Sequence, residues 1–319
     1  MKLNTAVPTV KFEDDKFDLD PQLSLLDNLL HANKSIAYGC KSGVCQRCLL
    51  QISDGDIPAN SQLGLSSVQK QQKLIMSCCA YPKQDICLNQ APQLAPKQIA
   101  EVIGVTQLSE SILKVNLQLN CSSHSGQFIR LYRSASLARC YSLSQSPNSD
   151  NTVEMHIQLH PNGVFSQWAF ERLQVGMPLA VEGPFGDCYY RKQYTNQPLL
   201  FICAQSGFAP ALGIARTAIA QDHAAPITMV LIGHHMDRFY AADELAQLDT
   251  MHSNIRTYFY PEPPIELKSE WKKQSEPDKG STLQAFVCGP KPELEIYPSL
   301  LQQQGLSSAQ IHSEFFVNN

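Results

Sequence analysis

The chain of 319 residues is 43% hydrophobic and 17% charged, the balance of a folded protein, and it is too long for one ordinary core. A net charge of −4 gives no electrostatic case for binding nucleic acid or an anionic membrane. No apolar run is long enough to cross a bilayer, and the N-terminal stretch turns acidic where a secretory leader would turn apolar, so the expected location is the cytoplasm.

Residues 8–19, PTVKFEDDKFDL, read as two short strands about the acidic turn Glu13-Asp14-Asp15. A helix is expected next, with Asp20 as cap, Pro21 in the first turn, and Leu23, Leu26, Leu29 and Leu30 at helical spacing. A cysteine-rich loop follows, then CLLQISDGDIP as strand, turn and strand, and this unit closes near Leu88. Gln90–Lys97, with two prolines and no periodicity, reads as a linker. Between about residues 100 and 190, the runs IAEVIGVTQL, ILKVNLQL, QFIRLYR, VEMHIQL and PLAVEGP are separated by turn residues and predict an antiparallel barrel. The pattern changes at Pro198. PLLFICAQ, ITMVLIG, NIRTYFYP and AFVCGP read as strands, with helices at about 209–220, at about 241–248 and in LEIYPSLLQQQG. That alternation predicts a doubly wound parallel sheet. The polar stretch Lys268–Ser281 reads as a loop.

Eleven cysteines is a high count for a reducing compartment, where clustered thiols usually serve metal or redox chemistry. Cys87, Cys121, Cys140, Cys188 and Cys203 are scattered and read as small buried hydrophobes. Cys40, Cys45 and Cys48 form C-x4-C-x2-C, and Cys78 lies 30 residues after Cys48. This is the plant-type spacing for a [2Fe–2S] cluster, which needs four thiolates around two irons. Gly39 and Gly43 allow the loop to turn its N–H groups toward the sulfurs. Zinc is the rival, but zinc sites usually pair two C-x2-C knuckles, and one short pair occurs here. Cys79 adjoins Cys78, so spacing leaves the fourth ligand open between them.

Arg139-Cys140-Tyr141-Ser142 forms R-x-Y-S. An Arg pairs with phosphate, a Tyr stacks on an isoalloxazine ring and a Ser hydrogen-bonds beside its N5; an ordinary half-buried strand accounts for the same residues. Gly163-Val164-Phe165-Ser166 opens a helix, which suits either a phosphate or a plain Ser cap. Gly183-Pro184-Phe185-Gly186 ends the barrel. AQSGFAP follows the first buried strand, so Ser206 and Gly207 lie where open α/β sheets bind ligands, though no G-x-G-x-x-G is present.

In this order, R-x-Y-S, G-x-x-S, G-P-x-G, S-G-x-A-P, C-G-P and a terminal acidic–aromatic segment resemble the ferredoxin–NADP reductase superfamily. The cysteine unit, with SCCAYP matching C-x-A-Y-P, resembles plant-type ferredoxin domains. Together the chain resembles the NAD(P)H reductase components of bacterial oxygenase systems, a layout shared by benzoate dioxygenase reductase and methane monooxygenase reductase. The resemblance implies a multidomain α+β and α/β fold: a β-grasp-like ferredoxin domain over 1–90, an antiparallel β-barrel flavin domain over 97–195 and a doubly wound NAD(P)H-binding domain over 196–319. It selects Cys78 as the fourth cluster ligand. It implies that Arg139, Tyr141, Ser142 and Leu143 hold the flavin, with Gly163, Val164 and Ser166 on its phosphates. Ser206, Gly207, Pro210, Gly289 and Pro290 would face the nicotinamide dinucleotide, with Cys288 beside its ring and Glu314 and Phe316 near the flavin. Cys288, Glu314, Phe316 and Ser142 are the implied catalytic set. Two positions depart from the pattern. Ala204-Gln205-Ser206-Gly207 stands where the family has Gly-Gly-Thr-Gly, and Gln46 stands where many members carry a small residue.

The implied activity moves a hydride from NADH to FAD and then single electrons through [2Fe–2S] to a separate protein acceptor, such as an oxygenase, hydroxylase or dehydratase component. A flavin bridges the two-electron donor and the one-electron cluster. FMN for FAD and NADPH for NADH are the variants. Asp237 beside Arg238 gives a mixed signal for a 2′-phosphate, and His234 and His235 read as loop residues. A flavin and iron–sulfur sensor without nicotinamide turnover is the alternative, and a reductase of free flavin or oxygen is a third reading.

Overall fold

The acidic turn folds back as a hairpin: β1 (Thr9–Phe12) pairs antiparallel with β2 (Asp15–Asp18), and Glu13 takes a left-handed φ of 57° between them. The computed structural model describes residues 7–38, 40–92, 97–134, 137–145, 151–233, 240–264, 266–267 and 282–316. Gly39, linker residues 93–96, His234, His235, Asp237, Arg238 and the expected loop Lys268–Ser281, but for its neighbours, lie outside the described residues. The chain divides into two compact units, one up to Leu94 and one from Ala95 to Phe316.

In the first unit the expected cap gives way to another. The Asp20 carboxylate accepts from the Gln22 N–H at 2.9 Å, a local turn. Ser24 caps instead, accepting from the Asp27 N–H at 3.1 Å, and α1 spans Leu25–His31. Such a cap contributes about 1 kcal/mol. Leu25, Leu26 and Leu29 are fully buried, so the helix is held mainly by its apolar face. The remaining elements are β3 (Leu49–Asp54), α2 (Ser67–Gln71), β4 (Leu74–Met76) and β5 (Ile86–Gln90). The sheet order is β2-β1-β5-β3-β4, with β1 and β5 parallel and β3 antiparallel to both its neighbours. A helix packed on such a mixed sheet is β-grasp-like. The second strand expected in GDIP does not form, because the chain turns at Gly55 and Pro58 instead of pairing.

The second unit begins with a closed antiparallel barrel. Its strands are β6 (Gln98–Ser109), β7 (Ile112–Gln118), β8 (Phe128–Tyr132), β9 (Ala138–Gln145), β10 (Thr152–Gln158) and β11 (Pro178–Phe185). The order around the barrel is β10-β7-β6-β11-β8-β9. Closure leaves no unpaired edge. Alternate residues such as Val115, Leu117, Ile129, Leu131, Leu143 and Val181 fill the inside. Helix α3 (Val164–Arg172) adds Phe165 and Ala169 to that core. On the outer face Arg130 and Tyr132 both donate to Glu182 across β8 and β11, a buried charge with its partners supplied.

The chain then alternates β12 (Leu199–Ala204), α4 (Phe208–Ala220), β13 (Ile227–Ile232), α5 (Ala242–Met251), β14 (Ile255–Tyr260) and β15 (Gln284–Pro290). The single C-terminal helix expected in LEIYPSLLQQQG is two short ones, α6 (Lys291–Leu294) and α7 (Tyr297–Gln303), the second with Pro298 in its first turn. A last strand, β16 (Ile311–Phe316), was not expected from IHSEFF, whose polar residues hide the period. All pairs are parallel in the order β14-β13-β12-β15-β16. Strands β12 and β13 are buried at every residue and β15 at all but its last, which explains their unbroken apolar runs. The winding direction reverses between β12 and β15, the place where such sheets open a ligand crevice.

Candidate functional site

Cys40, Cys45, Cys48 and Cys78 stand as two pairs. The N–H of Cys40 donates to Cys45 Sγ at 3.4 Å, and those of Ser42, Val44 and Cys45 donate to Cys40 Sγ at 3.5, 3.4 and 3.3 Å. Cys48 Sγ and Cys78 Sγ are 3.3 Å apart. The hydrogen bond from Cys45 lowers the Cys40 thiol to about 4 and pushes Cys45 up. The bond from Cys78 lowers Cys48 to about 7. Within each pair one thiol is lowered at the other's expense, so a cluster, which takes all four as thiolates, would displace the protons of Cys45 and Cys78. Among the described residues no three His, Cys, Asp or Glu side chains are placed to hold one metal ion. A tetrahedral zinc needs four donors around one point, whereas two pairs suit two irons. The donor set fits a [2Fe–2S] cluster.

Two neighbours pack beside these pairs. Cys79 Sγ lies 3.8 Å from Cys78 Sγ, and a Cβ at Gly43 would come within 2.7 Å of it. Gly43 has φ +80°, a left-handed backbone that favours glycine. Gln46 is buried. Its amide donates to the Gly64 carbonyl at 3.1 Å and its oxygen accepts from Gln69 at 2.9 Å, which ties the loop to α2.

On β9, Arg139 and Tyr141 alternate with Cys140 and Ser142. The Tyr141 ring lies 5.5 Å from that of Phe165, which brings the strand to the first turn of α3. Gly163 precedes that helix and Val164 is exposed at its first position. Ser166 is buried, and its hydroxyl accepts from the His160 N–H and donates to the Gly163 carbonyl, both at 3.1 Å. Its hydroxyl is thus spent on its own turn, and the helix N–H groups remain as the anion donors. Leu143 lies on the same face of β9 as Arg139 and Tyr141. Its side chain is in the barrel core, its N–H donates to Gln127 and its carbonyl accepts from Gly126. The guanidinium, aromatic ring and helix N-terminus together match a flavin's phosphates and ring.

Ser142 points to the opposite face of β9 and donates to Glu314 Oε1 at 3.0 Å, across 172 residues of sequence. Glu314 on β16 is in register with Cys288 on β15, and Phe316 with Pro290. Burial pushes the Glu314 carboxyl up to about 8, with the Ser142 hydrogen bond opposing. Cys288 is fully buried, its sulfur 3.9 Å from that of Cys188. Ser206 and Gly207 lie in the turn Gln205–Gly207, and Pro210 is buried in the first turn of α4. A Cβ at Gly207 would come within 2.0 Å of the Cys288 carbonyl oxygen, so β12's exit lies directly on β15. Gly289 has φ +142° at the same crevice. Ser142, Glu314 and Cys288 are thus linked by one hydrogen bond and one strand register, with Phe316 two residues further along β16, and Ser206, Gly207, Pro210, Gly289 and Pro290 lie at the exits of β12 and β15.

Sequence reasoning missed Cys188, read as a small hydrophobe, and the bonded set Gln158, Gln205 and Glu293, described below. The departure at Gln205 was the available signal. No helix among the described residues is long and apolar enough to cross a membrane.

The family of 2Fe-2S iron-sulfur cluster binding domains matches residues 10–83, that of oxidoreductase FAD-binding domains 100–190 and that of oxidoreductase NAD-binding domains 201–296. The phenol hydroxylase P5 protein of Acinetobacter pittii is 23% identical over 97% of this chain and 92% of its own. The anthranilate 1,2-dioxygenase electron transfer component of Acinetobacter baylyi is 28% identical over 92% of each. An Amycolatopsis cytochrome P450 reductase shares the fold with a TM-score of 0.64 at 24% identity, covering 98% of this chain and 99% of that one. Nothing in these matches supports a sensor without turnover. Paired thiolates, a barrel site and a crevice at the reversal point, matched in order by these three domain families, make the chain a member of the ferredoxin–NADP reductase superfamily: an NAD(P)H-dependent oxidoreductase that carries electrons through FAD and [2Fe–2S], as oxygenase reductase components do.

Proposed function

We propose that the protein draws its electrons from NADH and delivers them singly to a separate oxygenase-type protein in the cytoplasm. The observation that carries the reading is the Ser142–Glu314 hydrogen bond, which joins barrel to sheet beside Cys288. When bound, FAD would supply the exchange between a two-electron hydride donor and a one-electron [2Fe–2S] cluster. Arg139 and the start of α3 would hold the flavin phosphates, with Tyr141 along its ring. Cys288 and Phe316 would exclude water from the hydride path. Glu314 is protonated through neutral pH by its burial, so it would hold a proton at Oε2 while Ser142 orients Oε1. Cys40, Cys45, Cys48 and Cys78 would hold the cluster. The three domains would span 1–90, 97–195 and 196–319.

The acceptor class rests on the relatives named for phenol hydroxylase and anthranilate dioxygenase. Eleven cysteines, none in a disulfide among the described residues, favour a reducing compartment. Ser142→Ala tests the carrying observation. In anaerobic single-turnover mixing with NADH, flavin reduction should slow about tenfold or more while NADH affinity stays within a few-fold. An unchanged rate would remove the pair from the hydride step.

A further inference from the structure

Two residues stand on opposite rims of the crevice between β12 and β15. Gln205, which replaces a family glycine, leaves β12 with a left-handed φ of 51°. Glu293 lies in α6, directly after β15. Gln205 Nε2 donates to Glu293 Oε1, and Gln205 Oε1 accepts from Gln158 Nε2 of β10 at 3.0 Å. One carboxylate oxygen and the amide that holds it are therefore fixed from the barrel side. The other oxygen, Glu293 Oε2, is buried and has no hydrogen-bond partner among the described residues. A buried acceptor of this kind is rarely left unpaired in a folded protein, and a carboxylate is the costliest acceptor to leave so.

The chemistry of the missing partner is constrained. It must be a donor, and it is not a phosphate, which the carboxylate would repel. Glu293 follows β15 five residues after Cys288, the residue that the proposed function sets beside the nicotinamide ring, and is bonded to Gln205 at the exit of β12, so Oε2 lies where the ribose between pyrophosphate and nicotinamide would pass. The donors available there on a nicotinamide dinucleotide are the ribose hydroxyls and the carboxamide N–H.

We propose that Glu293 reads the bound dinucleotide, Oε2 accepting a hydrogen bond from its nicotinamide ribose or carboxamide while Gln205 and Gln158 fix the carboxylate. This rests on the crevice being the nicotinamide site. It also gives the glycine replacement a purpose. A Gln at position 205 takes room from the backbone's approach to the pyrophosphate, and in exchange it positions an acceptor that glycine could not hold.

The test measures equilibrium binding of tetrahydro-NADH, which cannot donate a hydride, and of ADP-ribose to the FAD-loaded, cluster-containing protein. Glu293→Gln keeps an acceptor for Gln205 but sets an amide where Oε2 was. It should weaken tetrahydro-NADH binding about tenfold or more, with flavin content, iron content and melting temperature retained. Gln205→Met, which cuts the tether and leaves Glu293 in place, should weaken it in the same direction. Equal losses for ADP-ribose would assign the ribose, and unaffected ADP-ribose would assign the carboxamide. Affinity within twofold of wild type in both variants would overturn the proposal. Wild-type protein that binds neither probe would instead overturn the nicotinamide reading of the crevice.

Discussion

Ser142 Oγ donates to Glu314 Oε1 at 3.0 Å, tying a barrel strand to the last strand of the parallel sheet. The bond is short-range in space and spans most of the second unit in sequence. It also controls a proton, because burial raises the Glu314 carboxyl to about 8 and the Ser142 bond holds it down from a higher value. Ser142→Ala should therefore move the ionisation of Glu314 upward. In the pH profile of flavin reduction, the limb assigned to Glu314 should shift to higher pH in the variant. A profile displaced downward, or not at all, would separate the two residues.

Glu314 should also link stability to pH. Between an unfolded value of 4.5 and a folded value of about 8, the native state keeps a proton that the unfolded chain releases. Its contribution is complete below the lower value and is lost as pH rises through the upper one. Glu314→Gln has no such proton to lose. Relative to wild type, the variant should therefore gain melting temperature between about pH 5 and about pH 8.5. A difference that is constant or shrinks across that window would contradict the buried protonated carboxyl.

The two adjacent cysteines should behave differently. Cys78 pairs with Cys48 at 3.3 Å, while Cys79 packs against Gly43. Cys79→Ala should keep about two irons and two labile sulfides per chain. Cys45→Ser should lose them, keep reduction of the flavin by NADH and lower reduction of a one-electron protein acceptor about tenfold or more. Iron content that falls for Cys79→Ala and survives Cys78→Ala would reverse the ligand assignment. An acceptor rate unchanged by Cys45→Ser would make the cluster incidental.

Gly207 is needed for space. Its φ is an ordinary −64°, but a Cβ there would lie 2.0 Å from the Cys288 carbonyl oxygen. That obstacle is backbone and cannot rotate away. Gly207→Ala should force β12's exit off β15, at a cost of roughly 2–4 kcal/mol, seen as a lower melting temperature with weakened nucleotide binding. Wild-type melting would show that the two strand ends are looser than described.

The legible parts of this chain are those written in local spacing. Cys40, Cys45 and Cys48 are set by a loop that must wrap sulfurs, so their intervals carry the chemistry. Strands β12, β13 and β15 are buried on both faces and read as apolar runs. What was not legible depends on distant backbone. The Ser24 cap won over Asp20 because only from Leu25 onward does the helix bury its leucines. Strand β16 is half polar because it lies at the sheet edge and lends Glu314 to the barrel. Resemblance named Ser142 and Glu314, but no spacing could pair them. Leu143 follows Tyr141 by two residues on β9, so the alternation puts both on the face that packs into the barrel core. Cys188 and Glu293 carried no motif, since each takes its meaning from a neighbour across the fold.

The central claim is a relay from NAD(P)H through FAD to [2Fe–2S]. Its most direct test is an anaerobic titration of the purified protein with NADH, then NADPH, read by visible absorbance and low-temperature electron paramagnetic resonance. The account predicts bleaching of the flavin together with the signal of a reduced [2Fe–2S] cluster, with NADH the better reductant. A flavin and a cluster that are both bound, yet that neither nucleotide reduces, would contradict it.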